Sequence, residues 1–121
     1  MQKILLLFLS GGLGCVFRYA ISLLPLQGIL TSIPIVTLLA NALSCFILGV
    51  EFKRYSNNNL NDSLLHIVII GFCGGLSTFS TFTMENFIYI KSQSYFQLLS
   101  YIILSLVICT LLFSLGGKMI K

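Results

Sequence analysis

The chain contains no tryptophan, one histidine, two prolines and only three acidic residues among 121. Each scarcity excludes something. With 8% charged residues, against about 25% in ordinary soluble domains, it cannot cover itself with a water-facing surface. One histidine and three acids leave too few partners for a hydrolase constellation, so no catalysis is expected. The four cysteines, Cys15, Cys45, Cys73 and Cys109, form no CxxC pair and have no histidine nearby, so they read as small apolar packing residues rather than zinc ligands. The net charge of +4 comes from cations near the ends of apolar runs, where they anchor to headgroups; nucleic-acid binding is a poor reading of it.

What the chain has is apolar length. Hydrophobic residues make up 57% of it, in runs each close to the roughly 20 residues that cross a bilayer core of about 30 Å. Spans are read at about 3–24, 34–52, 63–91 and 95–118, which makes residues 1–121 a single all-α integral membrane domain with four transmembrane helices. Gly11, Gly12, Gly14 and Arg18 interrupt the first span, which argues against a cleavable signal peptide. The linkers are short: "PLQGILTSIP", "EFKRYSNNNLND" and "KSQS".

Four spans return the chain to the side on which it begins, so each polar residue can be given a depth. Counted from the opposite face at about 1.5 Å per residue, Arg18, Asn41, Glu85 and Tyr101 all lie roughly 10 Å in, one on each span. Ionisable residues at such depths pair or line a cavity. Two readings stand: an Arg18–Glu85 ion pair, or a water-filled vestibule in which Arg18 concentrates anions. Asn41 fits either interhelical glue or a pore wall. His66 reads as an interfacial residue.

The third span is too long for one straight crossing unless tilted or interrupted. In "GFCGGLSTFSTF", Gly71, Gly74 and Gly75 are expected to break it, with Ser77 capping a new helix from about Thr78. A break at membrane depth is tolerated where the backbone is buried in protein or lines a cavity. A cation fits the freed carbonyls near Gly74 and Ser77; an anion fits the N-terminal half-turn and its hydroxyls. Phe79 and Phe82 share a face of the second half-helix and can offer positive ring edges to a small anion.

Through "GGLGCVFRY", "TLLANALSCFILG" and "GFCGGLSTFSTF", the chain resembles the Fluc fluoride channels, also called the CrcB family, over essentially its whole length. The resemblance implies a passive fluoride-selective channel in the cell (inner) membrane that exports cytoplasmic fluoride and so relieves its toxicity. It implies an antiparallel dual-topology homodimer with two pores and a central structural sodium ion on backbone carbonyls, here those of Gly74 and Ser77. Phe79 and Phe82 would contact fluoride, with Asn41, Ser80, Thr81, Tyr101 and Ser105 along the pore and Arg18 and Glu85 in the vestibule. The more common "TTFST" reads "STFST" here, and Cys109 stands where a further hydroxyl is expected.

Two other classes fit less well. A proton-coupled small multidrug transporter needs an acid deep in the first span and an aromatic pocket rich in tryptophan; this first span has no acid and the chain no tryptophan. An assembly subunit held by glycine packing leaves the hydroxyls beside Phe79 and Phe82 without a purpose. The cations argue partly against dual topology, since Lys3, Lys53, Arg54, Lys118 and Lys121 share one side and only Lys91 and Arg18 belong to the other.

Overall fold

A computed structural model describes residues 1–25, 33–56 and 63–119. Most of the first two linkers and Lys121 lie outside the described residues. Five helices follow in order: α1 (Gln2–Ser22), α2 (Ile35–Ser56), α3 (Ser63–Leu76), α4 (Phe79–Lys91) and α5 (Tyr95–Lys118). No strand occurs among the described residues. Four segments are long and apolar enough to cross a membrane, and α3 and α4 together make the third. Between α4 and α5 the chain reverses within a short turn, with Gln93 at φ 56°.

The helices associate as two close parallel pairs, α1 with α3 and α2 with α5. Glycine makes both possible. A Cβ on Gly14 would overlap the Phe72 carbonyl, and one on Gly75 the Gly11 carbonyl, so α1 and α3 meet backbone to backbone. In the second pair, Gly49 admits the Phe113 carbonyl and Gly116 the Phe46 carbonyl. Without a hydrophobic driving force in lipid, such close van der Waals approach is what holds membrane helices together.

This corrects the expected role of the glycines in the third span. α3 runs unbroken through Gly71, Gly74 and Gly75 to Leu76, and the gap falls at Ser77 and Thr78. Gly71 and Gly75 admit α1, with Ser10 packed against Gly71, rather than breaking the helix. The fully buried interior is small, with Tyr101, Leu76, Cys73 and Ser44 its largest members, whereas Phe8, Leu13, Val16 and many other apolar side chains face outward. An outward apolar surface of this kind suits lipid rather than water.

Candidate functional site

The gap between α3 and α4 is held open from another helix. Were α3 to continue, the Thr78 N–H would donate to the Gly74 carbonyl. It donates instead to Asn41 Oδ1 of α2, at 2.8 Å. One turn back, the Cys73 carbonyl closes α3 by accepting from the Ser77 N–H at 2.9 Å, Ser77 Oγ at 2.8 Å and Ser44 Oγ at 3.0 Å.

Thr78 then starts α4. Its backbone is extended (φ −151°, ψ 111°) and its Oγ1 accepts from the Thr81 N–H at 3.3 Å, which is N-cap geometry. The cap is therefore Thr78 rather than the expected Ser77, whose hydroxyl is turned back onto α3. Thr78 Oγ1 also donates to Thr81 Oγ1 at 3.0 Å and lies 3.2 Å from Ser80 Oγ.

Beside the gap, α2 and α5 run in constant register. Thr37 and Tyr101 both donate to Glu85, at 2.6 and 2.7 Å; Asn41 and Ser105 line one cavity, Cys45 and Cys109 continue it, and Gly49 rests on Phe113. Each pair lies one helical turn beyond the last. Four-residue spacing keeps a helix face constant, so one polar stripe on each helix faces the other.

Two cavities flank Thr78. The first, of about 260 Å³, lies among α2, α5 and the gap; Phe79 and Phe82 border it together with Asn41, Ser77, Ser105 and Cys109. The two phenyl rings are 5.9 Å apart, and Phe82 leans on Tyr101 at 5.1 Å. Ser105 Oγ is buried there with no hydrogen-bond partner among the described residues. The second cavity, of about 310 Å³, is lined by Arg18, Tyr19, Thr37, Thr78 and Thr81.

These positions redraw the expected constellation. Phe79, Phe82, Asn41, Ser77 and Ser105 converge on one cavity, and Arg18 and Thr81 on the other. Ser80 lines neither. Tyr101 is fully buried beneath Phe82, and its hydroxyl is used by Glu85. Gly74 is exposed, and a Cβ there would meet nothing within 4 Å.

Glu85 does not pair with Arg18: its two oxygens are taken by Thr37 and Tyr101, and no ion pair joins it to Arg18 among the described residues. The single-depth reading of Asn41 and Tyr101 also fails. Tyr101 is level with Thr37, one turn away, and Asn41 with Ser105. Counting depth from span ends carried an error of about one turn, because span ends in a sequence are diffuse.

His66 is more than interfacial, since its Nδ1 lies 3.2 Å from Oε1 of buried Glu51 and its ring stacks on Tyr55. Sequence reasoning also overlooked Thr37, and reads Ser44, with Ala40, only as small-residue packing, whereas its hydroxyl donates to the Cys73 carbonyl. The signal was present in the four-residue spacing of Thr37, Asn41 and Cys45, which marks one face of α2.

The sequence profile of the family described as "CrcB-like protein, Camphor Resistance (CrcB)" matches residues 5–117. The chain is similar to proteins named fluoride-specific ion channel FluC. It is 37% identical over 116 residues to that of Phocaeicola vulgatus, covering 96% of each chain. To that of Azobacteroides pseudotrichonymphae it is 35% identical over 108 residues, covering 88% of this chain and 86% of the other. To that of Shewanella baltica it is 32% identical over 120 residues, covering 99% and 97%.

Proposed function

Because the chain belongs to the CrcB-like family, we propose that it is a passive, fluoride-selective channel of the cell membrane that lets cytoplasmic fluoride leave down its gradient. It is no enzyme. The observation that carries this reading is the cavity in which Phe79 and Phe82 stand opposite Asn41 and the unpartnered Ser105 hydroxyl. Fluoride is small and strongly hydrated, so a pathway must replace part of its water shell with fixed positive partners. Phenyl edges, an amide N–H and a hydroxyl supply these without a full positive charge that would hold the ion too long. Asn41 suits the task because its Oδ1 is already used by Thr78, which turns its amide N–H₂ into the remaining polar group.

Arg18 supplies the long-range attraction from the second cavity, with Thr81 beside it. Glu85, with each oxygen accepting from a hydroxyl, anchors Thr37 and Tyr101 and thereby the Phe82 ring, rather than meeting the ion.

The working unit in this proposal is an antiparallel, dual-topology homodimer with two pores. A central sodium ion would rest on the carbonyls of Gly74 and Ser77 of both chains. The Gly74 carbonyl has lost the Thr78 N–H to Asn41, and the surface at Gly74 is open, so the backbone there suits a hard cation that takes oxygen ligands. The ion would be structural, satisfying the freed carbonyls at the dimer centre, and would not be transported.

Fluoride efflux from liposomes, read with a fluoride electrode, tests the channel. Phe79→Ile or Phe82→Ile keeps apolar bulk but removes the ring edge; losing about 1–3 kcal/mol of ion stabilisation lowers flux roughly five- to 150-fold. Unchanged flux from both variants, folded as dimers, would reduce the rings to packing. Removing sodium is expected to weaken the dimer, and equal dimer stability without it would count against the central ion.

A further inference from the structure

Cys45 and Cys109 face each other across the α2–α5 register, one turn beyond Asn41 and Ser105, and both line the cavity bordered by Phe79 and Phe82. Both are free thiols, adjacent to one another. The register fixes them as partners: one turn on, the Phe113 carbonyl packs onto Gly49 and holds the two helices close, and one turn back Asn41 and Ser105 line the same cavity. No third histidine, cysteine or acid joins them in a cluster among the described residues. A tetrahedral zinc site is therefore out of reach. Two sulfurs at close range suit a soft ion that accepts linear, two-coordinate thiolate ligation.

We propose that Cys45 and Cys109 form a two-thiol site for a soft metal ion of the Ag(I) or Cu(I) kind, and that occupation of this site arrests ion passage through the cavity. Two thiols and one monovalent ion give a bis-thiolate complex; two S–H bonds break, two metal–sulfur bonds form, and two protons leave to the cavity water without any change of oxidation state. The wall then carries one negative charge where it was neutral, and the metal fills the space between the helices. Both effects oppose an anion. The inhibition rests on the reading of this cavity as the anion's path; the binding site does not.

The experiment takes as parent the purified full chain carrying Cys15→Ser and Cys73→Ala, because the other free thiols would themselves take silver, and titrates it with silver nitrate in chloride-free buffer against a competing chromogenic chelator, beside its Cys45→Ser and Cys109→Ser variants, with Cys45→Ala and Cys109→Ala as second variants. One tight equivalent per chain is expected in the parent, and loss of either thiol should weaken it by at least about a hundredfold, as befits removal of one of two ligands. Independent thiols would instead lose capacity with no change in affinity, and that result overturns the site. In liposomes, the first silver equivalent should stop fluoride efflux in the parent and leave each single variant at its own metal-free rate. Tight binding that leaves the parent's efflux intact overturns the arrest. If the parent carries no fluoride before silver is added, the channel reading fails, and the titration still decides the site.

Discussion

The two helix pairs solve the same problem differently. α1 and α3 meet through Gly11, Gly14, Gly71 and Gly75 with backbone against backbone and no room between them. α2 and α5 use the same device at Gly49, Gly116 and Gly117, all near one end. Towards the other end their seam carries Cys45 with Cys109, Asn41 with Ser105, and Thr37 with Tyr101, and there a cavity opens. In the first pair small residues serve adhesion. In the second, adhesion at one end leaves a space at the other, walled mostly by apolar surface with the side chains of Asn41, Ser77, Thr78 and Ser105 set into it.

The sharpest way to break this contrast is at the closed seam. A methyl on Gly75 overlaps the Gly11 carbonyl, backbone that cannot swing aside, so Gly75→Ala should cost at least about 1–3 kcal/mol and Gly75→Leu should yield no folded protein. Gly12 has nothing within 4 Å of its Cβ position, so Gly12→Ala should be neutral or stabilise by up to about 1 kcal/mol through helix propensity. Thermal unfolding in detergent separates them. Equal tolerance of alanine at both positions would mean the seam is looser than its geometry.

At the open seam the next largest effect comes from Asn41, where two substitutions pull apart its two duties. Asn41→Asp retains an acceptor for the Thr78 N–H and, ionised, adds negative charge beside the proposed anion path, so the protein should assemble normally while flux falls strongly. Asn41→Ala adds no charge but leaves that N–H without its partner, at a cost of about 1–3 kcal/mol, and should loosen the start of α4. Matched stability loss in both variants would show that the amide, not the acceptor, holds the break.

Tyr101→Phe acts at one remove. It deprives Glu85 Oε2 of its donor and should cost about 1–3 kcal/mol, with less loss of flux than Phe82→Ile because the ring that supports Phe82 remains. Thr37→Val removes the donor to Oε1, so the double variant should be non-additive in a thermal-unfolding cycle. Simple additivity would mean that the two donors do not share one carboxylate.

The four spans and the family were legible in the sequence because membrane spanning is a matter of composition and length, and because "GFCGGLSTFSTF" is a specific motif. The misreadings have a common physical origin in partners that lie far away in the chain. Glycine in α3 signals either a break or a close approach, and only the position of α1 decides for the approach. Ser77 and Thr78 have similar capping chemistry, and Asn41, on another helix, selects Thr78. The Arg18–Glu85 pairing considered only ionised groups, whereas neutral hydroxyls of Thr37 and Tyr101 satisfy the carboxylate. Cys109 stands out in the sequence as a departure from a hydroxyl, but its partner Cys45 follows only from the register of α2 and α5.

Ser105 offers the finest test of the open seam, because stability and flux should move in opposite senses. Its hydroxyl is buried without a partner, a state that costs free energy in a protein with nothing to bind. Removing an unsatisfied buried group returns that cost, so Ser105→Ala should unfold at the same temperature as the parent or slightly above it. In the proposed channel this O–H, unpaired among the described residues in a cavity lined by Phe79, Phe82 and Asn41, is also a free donor for an anion. Its loss deprives a partly dehydrated fluoride of about 0.5–1.5 kcal/mol, roughly a two- to tenfold fall in flux, smaller than the fall expected from either phenylalanine. Ser105→Thr keeps the donor and should restore most of that flux if the added methyl is tolerated. A Ser105→Ala variant that is both destabilised and fully conducting would mean that the hydroxyl is bonded within the protein, and the cavity would lose one of the donors that distinguish it from a packing defect.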